Sequence, residues 1–144
     1  LASVCDFALA EETARFGYPE VKRGLVAALV LTFAARQLSD RRLRELFLLG
    51  ELIEAKKAEE YGLISEVVPN GGLEKRAQEL AHAALESAPG AVSHLKRLIE
   101  EFQQKNLTND LHHALAVHKV MRTHRESQEG ISAFFEGRKP RWYP

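Results

Sequence analysis

A single cysteine, Cys5, has no partner for an internal disulfide, so the fold does not rely on one. Cys5 sits in a strand-like run, where it reads as a buried small hydrophobe. Net charge is missing as well. Twenty lysines and arginines balance twenty aspartates and glutamates, which removes the electrostatic case for nucleic acid or a membrane surface. The longest apolar run, 25–33 with Thr32 inside it, is too short to span a bilayer. No G-x-S-x-G nucleophile elbow and no G-x-x-x-x-G-K phosphate loop occurs. Four histidines, His112, His113, His118 and His124, fall on one predicted helix. A zinc pair on a helix face needs i,i+4 spacing, which none of them has, so they read as surface or interface residues and no metal is expected.

What remains is ordinary in bulk and specific in detail. Of the 144 residues, 45% are apolar and 28% charged, the balance of one soluble globular domain. The chain opens on Leu1 rather than methionine and enters a strand-like run at once, with no signal-peptide pattern. That edge suggests a fragment. A cytoplasmic location is the expectation, with the mitochondrial matrix left open because the true start can lie elsewhere.

Residues 3–10 read as a short buried strand containing Val4 and Phe7 and interrupted by Asp6. A turn at 11–13 leads to "ARFGYPEV", irregular or a short strand, broken by Gly17 and Pro19. Residues 25–38 are long and apolar enough for a helix. Ser39 and Asp40 cap a second, about 40–49, ended by Gly50. "EAKKAEEYG" is a short helix with Gly62 at its end, and "LISEVVP" a strand stopped by Pro69. From Leu73 the pattern becomes helical. One stripe is Leu73, Ala77, Leu80, Ala81, Ala84 and Leu85; another is Val92, Leu95, Leu98, Ile99 and Phe102. A third runs from Leu107 to Met121, and a short fourth begins at Ile131, Phe134 and Phe135. The chain thus divides into a mixed α/β portion, 1–69, and an all-helical region, 70–144. Two or three short strands are too few for a stable sheet alone, which points to N-terminal strands missing from this chain.

Glu20 is the residue that asks for an explanation. Pro19 fixes φ and removes a donor immediately before it, and Phe16, Tyr18 and Leu25 could supply apolar neighbours. A surface carboxylate after a turn would satisfy the pattern. So would an acid held in place to exchange a proton.

Three segments carry a resemblance. "LASVCDFALAEETARFGYPEVKRGL" resembles the enoyl-CoA hydratase/isomerase (crotonase) family, whose "GGG-x-E-L-A-x-x-C-D" is followed by "A-x-F-G-x-P-E-x-x-x-G". "LFLLGELIEAKKAEEYGLISEVVP" and the tail "EGISAFFEGRKP" resemble two further family segments in the same order. The match runs from the L-A of the first motif to the C-terminus, so the chain reads as the C-terminal part of such a protein. The implied fold is the later part of a crotonase-like ββα spiral, followed by an all-helical C-terminal region that builds trimers and hexamers.

The resemblance implies that Glu20 is an acid/base residue facing the Cα–Cβ region of an acyl-CoA thioester. The family's two oxyanion-hole N–H donors and its second glutamate would precede Leu1, the glutamate immediately. Water adding to a 2-enoyl-CoA is the reaction favoured. An isomerase using Glu20 alone is the first alternative, and a non-catalytic oligomerising fragment the second; the 144-residue chain alone is expected to be inactive. CoA enters as part of the substrate, so no cofactor is expected. Further substrate contacts implied are Tyr18, Leu25, Ala28, Phe134 and Lys139. Two departures matter. The family's glycine-rich stretch after the acid keeps only Gly24, which suggests a more apolar pocket. The tail lysine is Gly137 here, leaving Arg138 and Lys139 as phosphate partners, or else as a solvated basic end. Phe134 reads slightly better as helix packing with Ile131 and Phe135.

Overall fold

In the computed structural model the described residues are 2–102 and 107–142, and Phe102 is described in its backbone only. A 3₁₀ turn, Ala2–Val4, precedes strand β1, Leu9–Glu11, and strand β2, Arg15–Phe16. A second 3₁₀ helix, Pro19–Arg23, follows. Next come α1, Ala28–Ala34, α2, Asp40–Leu49, β3, Ile53–Glu54, α3, Ala55–Tyr61, and β4, Glu66–Val68. Four helices complete the chain: α4, Leu73–Leu85, α5, Pro89–Phe102, α6, Leu107–Arg122, and α7, Arg125–Phe135.

The sheets are small. β1 and β4 run parallel, with Leu9 opposite Glu66 and Glu11 opposite Val68. β2 and β3 run antiparallel, with Arg15 opposite Glu54 and Phe16 opposite Ile53. The main core lies between the strands and the first three helices. Ala34, Leu38, Leu46, Ile53, Ala55, Ala58, Tyr61 and Ile64 form it, with Phe16, Tyr18 and Phe47 packed on its edge. Alanine at 34, 55 and 58 lets the helices sit close, and Leu46 is its largest fully buried apolar side chain.

The run expected as a buried strand over 3–10 is a strand only at its end. Val4 and Phe7 are 55% and 59% exposed, and Cys5 is exposed rather than buried. The reason is pairing: β4 offers ladder partners only to residues 9–11. The helix expected over 25–38 is confined to Ala28–Ala34. Its tail loosens into turns, with Gln37 and Leu38 both donating to the Ala34 carbonyl. The predicted helix 40–49 is present. Ser39 sits at its cap position in extended backbone, but its side chain makes no capping hydrogen bond. Gly50 and Gly62 end α2 and α3 in the left-handed conformation, as their positions suggested.

The apolar stripes of α4 and α5 do not enter this core: Leu85, Leu95, Leu98 and Ile99 are all exposed. Phe102, the last residue of the second stripe, has a side chain outside the described residues. By contrast, α6 packs along α1, and α7 packs on the Pro19–Arg23 helix. Among the described residues no helix is long and apolar enough to cross a membrane.

Candidate active site

Pro19 opens the 3₁₀ helix that carries Glu20, its missing N–H lying at a helix start where no intrahelical bond is lost. Gly24 closes the helix with φ 67, and its N–H donates to the Val21 carbonyl at 3.1 Å. Leu25 N–H donates to the Glu20 carbonyl at 3.0 Å. Ahead of the turn, Tyr18 stacks on Phe47 of α2, ring centroids 4.1 Å apart and 13° from parallel. Its hydroxyl lies 3.4 Å from Ser3 Oγ. Glu20 therefore starts from a backbone fixed on both sides.

Its side chain lines a cavity of about 370 Å³ with Ser3, Arg15, Phe16, Tyr18, Val30 and Leu63 among the neighbours. Oε2 of Glu20 is buried and finds no hydrogen-bond partner among the described residues. Buried carboxylate oxygens are normally satisfied, because leaving one bare costs its lost hydration. Glu20 thus meets one requirement of a proton-exchanging group: a carboxylate beside a cavity with an oxygen that no described residue already uses.

The larger cavity, about 780 Å³, lies elsewhere, near Cys5, Phe7, Phe33 and Ile99. Two ion pairs link its charged side chains. Lys96 Nζ is 2.6 Å from Asp6 Oδ2, and Arg36 Nη1 is 2.5 Å from Glu100 Oε2. Glu20 and its orphan oxygen lie in the smaller cavity.

The other expected site residues divide. Tyr18 lines the Glu20 cavity. Leu25 is half-buried and serves through its amide, and Ala28 is buried at the start of α1; neither is part of the described cavity lining. Phe134 is 57% exposed and lies under the Arg23 guanidinium, 4.3 Å from ring centroid to the central carbon. It makes the expected contact with Phe135, edge to face and itself exposed. Lys139 is exposed at the chain's end. Arg138, its companion as a phosphate partner, is engaged by Glu129 and Glu136, each at 2.6 Å. Those hydrogen bonds, Glu129 first, raise its pKa above the ordinary guanidinium value. Gly24, the one glycine kept of the family's stretch, faces α7. A Cβ there would meet the Glu126 carbonyl oxygen of α7 at 2.6 Å, so its bareness admits a helix rather than a ligand. His124 is not on α6 but caps α7, its ring Nδ1 accepting from Glu126 N–H at 3.4 Å.

Sequence reasoning missed Arg15 and Ser3 at the cavity, and the whole contact of α7 with the Glu20 turn. The signal available for that contact was the small pair Ser127 and Gly130, one turn apart on α7.

With this geometry in place, the chain matches across residues 1–144 the family described as Enoyl-CoA hydratase/isomerase. The chain belongs to that family. Relatives are similar over nearly all of it. An enoyl-CoA isomerase/hydratase of Mycosarcoma maydis is 34% identical over 97% of this chain and 52% of its own length. The 2,3-dehydroadipyl-CoA hydratase of Escherichia coli K12 is 30% identical over 97% and 55%. Among solved structures, a carnitinyl-CoA dehydratase from Mycobacterium avium 104 superposes with TM-score 0.85 at 34% identity, covering 99% of this chain and 57% of that one. An enoyl-CoA hydratase from Mycobacterium avium gives TM-score 0.90 at 25% identity, with 99% and 56% covered. The chain therefore spans about half the length of the curated relatives it matches. These matches establish the family and an α/β crotonase-like fold, mostly helical with small sheets. They do not support the narrower assignment of the chain to the family's C-terminal part.

Proposed function

We propose that this chain carries the acid/base residue of an enoyl-CoA hydratase-like enzyme, and that this residue is Glu20. Water adds across the Cα–Cβ double bond of a 2-enoyl-CoA thioester, one carbon gaining hydrogen and the other hydroxyl, and Glu20 exchanges one of the protons. The observation that carries the reading is the buried Oε2 of Glu20, without a hydrogen-bond partner among the described residues, on a side chain that lines the cavity with Tyr18 and Leu63. The family membership supports acyl-CoA as the substrate class, with CoA supplied by the substrate and no redox step in the reaction.

An isomerase is the second reading. Glu20 is the one carboxylate in the described cavity lining, and a single carboxylate suffices to shuttle a proton between two carbons. The Mycosarcoma relative carries both activities in its name.

The test is Glu20→Gln in the full-length protein, which keeps shape and removes the titrating proton. Turnover should fall roughly 10²- to 10⁴-fold, the usual contribution of general acid–base catalysis, with KM little changed. Unchanged turnover removes Glu20 from the mechanism.

A further inference from the structure

Ser127 is the polar residue that the reading above does not use and that the fold has completely buried. It lies on α7 with its hydroxyl between two carbonyls, Gly24 O at 2.6 Å and Met121 O at 2.5 Å. A hydroxyl carries one hydrogen, so it donates to one of them at a time. The Gly24 carbonyl is the informative partner, because Gly24 C=O and Leu25 N–H are the two ends of one peptide plane. Leu25 N–H donates to the Glu20 carbonyl at 3.0 Å. A peptide plane is rigid. Ser127 therefore grips one edge of a plate whose other edge holds the backbone of Glu20.

Three further contacts press α7 onto the same turn. A Cβ on Gly130 would lie 2.2 Å from the Arg23 carbonyl oxygen, so helix and turn touch backbone to backbone. Gly24 makes the reciprocal approach to Glu126. The Arg23 guanidinium covers Phe134, also on α7.

We propose that Ser127 is a positioning residue for Glu20, holding the Gly24–Leu25 peptide so that the carboxylate keeps its aim into the cavity. This rests on Glu20 being the acid/base group. Misplacement of a reacting group by about 1 Å can cost up to about a hundredfold in rate, and loss of one tether should cost less.

The experiment is a double-variant cycle of Ser127→Ala and Glu20→Gln in the full-length protein, with kcat, KM and melting temperature read for each. Ser127→Ala should lower kcat about tenfold and leave KM within about twofold, the pattern of geometry lost in the transition state only. In the Glu20→Gln background it should cost nothing more, since the group it positions no longer transfers a proton. Wild-type kcat in Ser127→Ala overturns the proposal, even with a lowered melting temperature. So does a rise in KM alone, or an equal loss of kcat in both backgrounds. Unchanged turnover in Glu20→Gln alone overturns the Glu20 reading first and this inference with it. Should Ser127→Ala fail to fold, Ser127→Cys, similar in size with a weak donor, carries the same comparison.

Discussion

Two glutamates in this chain are treated in opposite ways. Glu45 accepts from Lys57 Nζ at 2.8 Å and from Tyr61 Oη at 2.6 Å, and Arg42 reaches it at 3.3 Å while lying over the Tyr61 ring. The Lys57 bond first, then Tyr61, holds its pKa down to about 2. Among the described residues, Glu20 Oε2 receives no hydrogen bond. The first is a clip between α2 and α3; the second is an acid left available. The clip has a pH signature. A carboxyl whose folded pKa is depressed stabilises the fold fully above its unfolded value near 4.5, and that contribution is lost as pH falls towards 2. Glu45→Gln should therefore lower the melting temperature at pH 6, and the gap to wild type should narrow by pH 3. A gap that is constant with pH would mean the clip is not electrostatic. At this scale the fixed turn at Glu20 was legible, because Pro19 and the neighbouring aromatics mark it locally, while those residues alone left a surface carboxylate equally open. Ser127 was not legible, because its partner is 103 residues away in sequence, and its spacing to Gly130 marks a close approach without saying to what.

Elements were read best where they end on chemistry of their own. Gly50 and Gly62 terminate helices by backbone conformation, which a sequence states directly. The run 3–10 failed because apolar composition does not supply a ladder partner, and β4 is only three residues long. Likewise the stripe read from Ile131 marked only the second half of α7, which begins at Arg125, while the close crossing of that helix over the Glu20 turn depends on Gly130. Gly130→Ala should destabilise the protein by about 1–3 kcal/mol, the usual cost of forcing atoms into a filled space, read as a lower melting temperature. An unchanged melting temperature would show that α7 is free to shift away from Arg23.

Across the whole molecule, the main feature is an unequal division of apolar surface. The first three helices and the strands share one core, although α1 and α2 also expose Val30, Leu31, Leu48 and Leu49, whereas α4 and α5 contribute nothing to it and leave Leu85, Leu95, Leu98 and Ile99 uncovered. Faces of this kind mark contacts with further polypeptide. We propose that the full-length protein assembles as a homotrimer or hexamer and uses them in part. Light scattering should give three or six times the subunit mass, and Leu95→Asp with Ile99→Asp should lower it. A wild-type monomer would contradict this. The periodicity of both helices was plain in the sequence, but a stripe looks the same whether it faces its own core or another chain.

The claim on which the rest depends is proton exchange by Glu20. The direct measurement is to incubate a short 2-enoyl-CoA with the full-length protein and with Glu20→Gln, and to follow the acyl-CoA products by mass spectrometry. The wild type should give a product heavier by one water, and the variant should form it at a rate at least about a hundredfold lower. Equal rates of water addition from both proteins would contradict that claim.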